Sequence, residues 1–92
     1  KEINLSQNNI SLLHKIFPNP ATTDVTIDYN PLTCNAAYIM ILNLNTNVSS
    51  NYILNTNNSS ININTTSYTR GLYRVVLVCD NTVLESHNLI IQ

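Results

Sequence analysis

Hydrophobic and polar residues alternate along most of this chain. Val25, Ile27 and Tyr29 are separated by Thr26 and Asp28, the two-residue period of a strand with one buried face. Ahead of them, residues 1–15 (KEINLSQNNISLLHK) hold no clear period. Ile10, Leu12, Leu13 and Ile16 fit a linker that becomes an edge strand near 10–16. Between the two lies Phe17-Pro18-Asn19-Pro20. Each proline fixes its own φ and drives the preceding residue to an extended conformation. The expectation is a stiff, polyproline-like corner that cannot be a central strand, with Phe17 aimed inward as a core plug.

Beyond the Asn30-Pro31 break, Ala37 to Leu44 reads as a strand with apolar residues on both faces. Ile39 and Ile41 share one face; Tyr38, Met40 and Leu42 share the other. Such a strand is central, or covered in part on its second face. Residues 51–55 and 60–64 read as short strands, with 55–59 joining them as a hairpin. After a loop at 65–70 comes a second central strand, RGLYRVVLV, in which Tyr73, Val75 and Leu77 oppose Leu72, Val76 and Val78. Gly71, the single glycine, falls where positive φ or a close backbone approach is expected. Asp80-Asn81 signals a hairpin. The last strand runs from Leu84 to Ile91, with Leu89 and Ile91 opposed to Ile90.

About seven short strands at regular spacing, with no helical period, predict an all-β fold: an immunoglobulin-like antiparallel β-sandwich. A barrel is the alternative. In such a sandwich the third and sixth strands pair at the centre, which brings Cys34 near Cys79. A disulfide closing a loop of roughly 45 residues is geometrically reasonable and stabilises by up to ~3–4 kcal/mol. Two separate thiols are the competing reading.

Composition narrows the function classes. The chain has 92 residues, 10% of them charged, and a formal net charge of −1. Lys1, Lys15, Arg70 and Arg74 make no basic stripe, so nucleic acid is not an expected partner. Polarity comes from Asn, Ser and Thr instead. Disorder is one reading of such runs, but the Asn-rich stretches alternate with Ile, Leu and Val, and 43% of residues are hydrophobic. Asn then supplies turns and outward strand positions, since it tolerates left-handed backbone. No apolar run reaches the roughly 18 residues of a membrane span, and no signal peptide opens the sequence. With no CxxC and with His14 far from His87, a zinc site lacks the usual close ligand pairs. No cofactor is expected.

Three stretches in order carry a resemblance: FPNPATTDVTI, TRGLYRVVLV and ESHNLIIQ. Together they resemble the C-terminal sorting domain (type A) of proteins exported by the type IX secretion system of Bacteroidota. Phe17, Pro18, Asn19, Pro20 and Ala21 match the family's opening motif. Gly71, Leu72 and Tyr73 match its G-x-Y/F motif. His87, Asn88, Leu89, Ile90, Ile91 and Gln92 occupy its closing basic-hydrophobic strand. The resemblance covers about residues 14–92, leaving 1–13 as linker or edge. His87 and Asn88 stand where the family usually has a lysine pair, and Asn45–Asn47 and Asn81 stand where glycine is common. The resemblance implies an address label: cargo joined upstream, transit through the periplasm, engagement of the outer-membrane translocon, and cutting by a cell-surface sortase, with the cargo ending at the cell surface or secreted. A last strand at a sheet edge is compatible with strand addition or groove binding, and a rigid corner presents its surface at little ordering cost.

Candidate chemistry is sparse. Asp24 and Asp28 are four residues apart on one strand face and read as surface charges. Glu85 and His87 share a face and invite a base–orienter reading, but no G-x-S-x-G turn accompanies them. Tyr73 reads as a packing or corner tyrosine. The Asn-x-Ser/Thr sequons follow from composition. The alternative function is an accessory sandwich module, a carbohydrate binder using Tyr38 and Tyr52 or a spacer in a surface enzyme. The end of the chain separates the two, since a sorting domain is expected to close its protein.

Overall fold

The computed structural model describes residues 13–30, 34–55 and 57–92; of the linker or edge expected over 1–13, all but Leu13 lies outside them. The described residues form seven strands in two antiparallel sheets. They are β1 (Leu13–Phe17), β2 (Asp24–Tyr29), β3 (Ala37–Asn43), β4 (Ser49–Ile53), β5 (Ser60–Asn64), β6 (Gly71–Cys79) and β7 (Thr82–Ile91). One sheet has the order β1-β2-β5, the other β4-β3-β6-β7. The β-sandwich is the fold the alternation predicts. Among the described residues there is no helix, and so none long and apolar enough to cross a membrane.

The period of two places the core. Val25, Ile27 and Tyr29 of β2 and Ile63 of β5 face Ile39 and Ile41 of β3, Tyr73, Val75 and Leu77 of β6, and Leu89 and Ile91 of β7. All are nearly inaccessible to water, and burying each such aliphatic side chain stabilises by about 1.5–3 kcal/mol. Leu54, just past β4, and Ala21, just ahead of β2, complete the cluster. On the outer face, Tyr38, Met40 and Leu42 are half-buried, as the two-faced pattern of β3 requires of a central strand. β3 and β6 pair in register from Ala37↔Cys79 to Asn43↔Tyr73. Cys34 and Cys79 are joined by a disulfide with Cα atoms 5.8 Å apart.

The expectations for the 55–59 connection and for Phe17 fail. Residues 55–59 do not make a hairpin, because β4 lies in the four-stranded sheet and β5 in the three-stranded one. Alternation marks strands without saying which sheet each joins, and the connection here crosses the sandwich. Phe17 is no core plug: it is 39% exposed, with the Lys15 ammonium 5.1 Å from its ring centroid, a cation–π arrangement. Leu13 takes the inward place on β1 instead.

Turn chemistry follows the asparagines. Asn47, Asp80 and Asn81 adopt positive φ, at 63°, 50° and 68°, so Asn holds left-handed positions at two turns. The only glycine, Gly71, has φ +148°, a region that L side chains rarely enter. A Cβ there meets nothing nearer than the Asn45 side-chain amide at 3.8 Å, so the conformation and not space demands glycine. Gly71→Ala is expected to cost about 1–3 kcal/mol, measurable as a lowered midpoint in urea unfolding with an unchanged slope.

Candidate recognition site

The opening corner and the last strand, 71 residues apart at Asn19 and Ile90, are one hydrogen-bonded unit. Prolines at 18 and 20 donate no N–H, so their segment cannot build an ordinary ladder. Asn19 supplies the pairing from its side chain. Its Nδ2 donates to the Asn88 carbonyl at 3.1 Å, and its Oδ1 accepts from the Ile90 N–H at 3.0 Å. Backbone pairing then resumes: the Ala21 N–H donates to the Ile90 carbonyl and the Gln92 N–H to the Ala21 carbonyl, both at 2.8 Å. Ala21 and Ile91 form a parallel bridge. At the other end, the Leu13 N–H donates to the Glu85 carboxylate at 3.3 and 3.4 Å. The segment from Leu13 to Ala21 thus follows β7 and closes one side of the sandwich. Both the Phe17–Pro18 and Asn19–Pro20 peptide bonds are cis, so the corner is not the polyproline-like path expected.

The other flank of β7 is β6. Gly71 pairs with Ile91, Leu72 with Ile90 and Tyr73 with Leu89. The structure therefore brings the three sequence motifs together, with the end of β7 held between Asn19–Ala21 and Gly71–Tyr73. Leu89 and Ile91 point inward at 0% and 2% exposure, while Ile90 points outward at 45%, with Asn88 and Gln92 also exposed. Tyr73 is a corner tyrosine. Its hydroxyl donates to the Thr69 carbonyl at 2.7 Å and accepts from Asn43 Nδ2 at 3.2 Å, and its ring stacks on Tyr68 at 5.6 Å.

Sequence reasoning missed Asn19 and Ala21 as partners of β7. A signal was there: an asparagine between two residues that cannot donate is the one group able to pair with a strand edge. Asn19→Ala leaves the Ile90 N–H without its acceptor. It is expected to lower stability by about 1–3 kcal/mol, read as a drop in melting temperature; Asn19→Asp, which keeps the acceptor, is expected to recover part of it.

Glu85 and His87 meet at 2.8 Å, but Glu85 also accepts the Leu13 N–H, which ties the pair to the edge closure. Asp24 is bonded to Asn62 Nδ2 across the sheet at 2.7 Å. Cys34, Cys79 and Asp80 lie together, yet the two sulfurs are bonded to each other, and Asp80 accepts the Asn35 and Ala36 N–H groups. No thiolate is left to bind a metal there.

Among the described residues, two surface clefts bear on the site. One of about 290 Å³ lies along the edge closure, between Leu13, Lys15, Asn19 and His87. A larger one, about 400 Å³, lies at an end of the sandwich and includes Asn43, Ser50, Tyr68 and Tyr73. Its tyrosine and amide groups are already committed within the fold. Tyr52, expected on the surface as a sugar-stacking ring, is half-buried and packs against the core. Its hydroxyl is hydrogen-bonded to that of Tyr68, and burial, reinforced by Tyr68, raises its pKa to about 12.

The class is an all-β sandwich whose three sequence motifs converge on the end of one strand. The chain belongs to the family of secretion system C-terminal sorting domains, those of type IX secretion, whose family model matches residues 15–92. That span includes all three motifs. Comparison with curated proteins finds no match.

Proposed function

We propose that residues 14–92 form the sorting unit for a cargo joined upstream, with 1–13 as its linker. The domain works as a recognised surface and performs no catalysis. The cargo reaches the periplasm by its own signal, the folded domain engages the outer-membrane translocon, and a cell-surface sortase cuts within residues 1–15. The cargo is then anchored at the surface or released. The observation that carries this reading is the family match over residues 15–92, and the convergence of its motifs on the end of β7 supports it. Little favours the sugar-binding alternative: of its two stacking rings, Tyr52 packs against the core with its hydroxyl bonded to Tyr68, and Tyr38 is half-buried in the outer face of β3.

The test is a transplant. Residues 1–92 are fused behind a periplasm-directed fluorescent protein in a host with the type IX machinery and in its translocon-deficient derivative. Fluorescence is expected outside the cell, or on its surface, only in the first host. Retention of a folded fusion in the periplasm of both would contradict the reading. The mass of the exported cargo locates the cut; a mature cargo still carrying residues 17–92 would exclude cutting in the linker.

A further inference from the structure

A partner can read a strand end through its backbone edge, its inner face or its outer face. Along the end of β7 the first two are taken. Asn88, Ile90 and Gln92 already pair outward with Asn19 and Ala21, and Leu89 and Ile91 are buried. Strand addition at this end therefore requires breaking the Asn19–Ala21 closure. The outer face of the four-stranded sheet remains.

Strand register lays that face out in cross-strand rows. Ile53, Tyr38, Val78 and Val83 form an apolar row at one end. Further along, Leu42 pairs with Arg74 and Arg74 with Asn88, and beyond them Leu72 pairs with Ile90. Leu72 is 42% exposed. Arg74 is the one charged side chain that these four strands carry on this face. It is half-buried, and one amino group donates to Ser86 Oγ at 3.3 Å. Its Nε is shielded from water and has no hydrogen-bond acceptor among the described residues.

The Nε edge is closed to an incoming group, but the side chain as a whole is only half-buried, and the two terminal amino groups of an arginine form a fork that fits a carboxylate end-on. Here that fork stands among Leu42, Leu72 and Ile90, where displaced water strengthens an ion pair. We propose that the Leu72–Arg74–Ile90 patch is a docking surface for a protein segment that brings a carboxylate flanked by apolar side chains. Resting on the sorting reading, this is the face through which the export machinery holds the domain.

The test uses the fluorescent fusion with Arg74→Glu, with Leu72→Ser as a second variant, and with Arg70→Glu as a control of equal charge change on an exposed residue outside the strands. Thermal melts of the purified variants check the fold. The expected result is export of the wild type and of Arg70→Glu. Arg74→Glu and Leu72→Ser are expected to lower export by roughly tenfold or more, as loss of a desolvated charge pair or of an apolar anchor does, with melting temperatures near that of the wild type. Export of both patch variants at the wild-type level would overturn the proposal. So would equal loss from Arg70→Glu, which would assign the effect to overall charge. A purified domain that is dimeric, and made monomeric by Arg74→Glu, would assign the patch to a second copy and overturn it as well. Failure of the wild-type fusion to leave the cell would refute the sorting reading itself, and this proposal with it.

Discussion

Replacing Cys34 and Cys79 together by serine is expected to lower the unfolding free energy by about 3–4 kcal/mol. The bridge spans 45 residues of sequence, and in the chain-entropy model a closure of that length restricts the unfolded chain by about this amount. It ties the segment before β3 to the end of β6, beside the Ala37↔Cys79 pair, so it closes one end of the central strand pair of the larger sheet. A domain of this size has a total stability on the order of 5–14 kcal/mol, of which the loss is a large share. With roughly 4–8 °C of melting temperature per kcal/mol, the midpoint should fall by about 12–30 °C. Circular dichroism melts of the wild type, the reduced wild type and the double variant measure it. A shift of only a few degrees would mean that Asp80, which accepts the Asn35 and Ala36 N–H groups, holds this corner without the bridge.

Removing Leu89–Gln92 is expected to abolish folding. Leu89 and Ile91 are among the most deeply buried side chains of the chain, and emptying each such site costs about 2–5 kcal/mol. The deletion also strips the acceptor from the Ala21 N–H and the donor from its carbonyl. Together these exceed what a small domain has to lose. The truncated protein should show no cooperative melt and should be cut rapidly by protease. Ile90→Ser, on the solvent side of the same strand, should melt within about 1 kcal/mol of the wild type. A truncated form that still melts cooperatively would show that the last strand is dispensable to the core. Export experiments on this domain are therefore best made with outward-facing substitutions, since a truncation removes the fold along with any signal.

The core was legible because it rests on a local rule. Alternation assigns Val25, Ile27, Val75 and Leu77 to one face whatever the sheets do, and the central pairing of 37–43 with 71–79 follows from their two-faced pattern. Asn47 and Asn81 were legible as turn residues for the same kind of reason, since positive φ is a property of the residue type. Long-range choices were not legible. Nothing local says that β5 leaves β4 to pair with β2, or that Leu13 and not Phe17 turns inward. The site lies between these cases. Its motifs could be found in the sequence, but their meeting at Asn19 depends on a side chain standing in for backbone across 71 positions. Arg74 escaped notice because a single arginine in a strand reads as solvated until its surroundings are known.

Amide hydrogen exchange at Ile90 and Gln92 measures the closure of the last strand most directly. If the corner holds β7 as described, both amides are protected to nearly the level of Val75 and Leu77 in the core, and Asn19→Ala speeds exchange at Ile90 well before it does so at Leu77. If Ile90 and Gln92 exchange at the rate of an open sheet edge in the wild type, the strand end is free, and a partner can pair with its backbone after all.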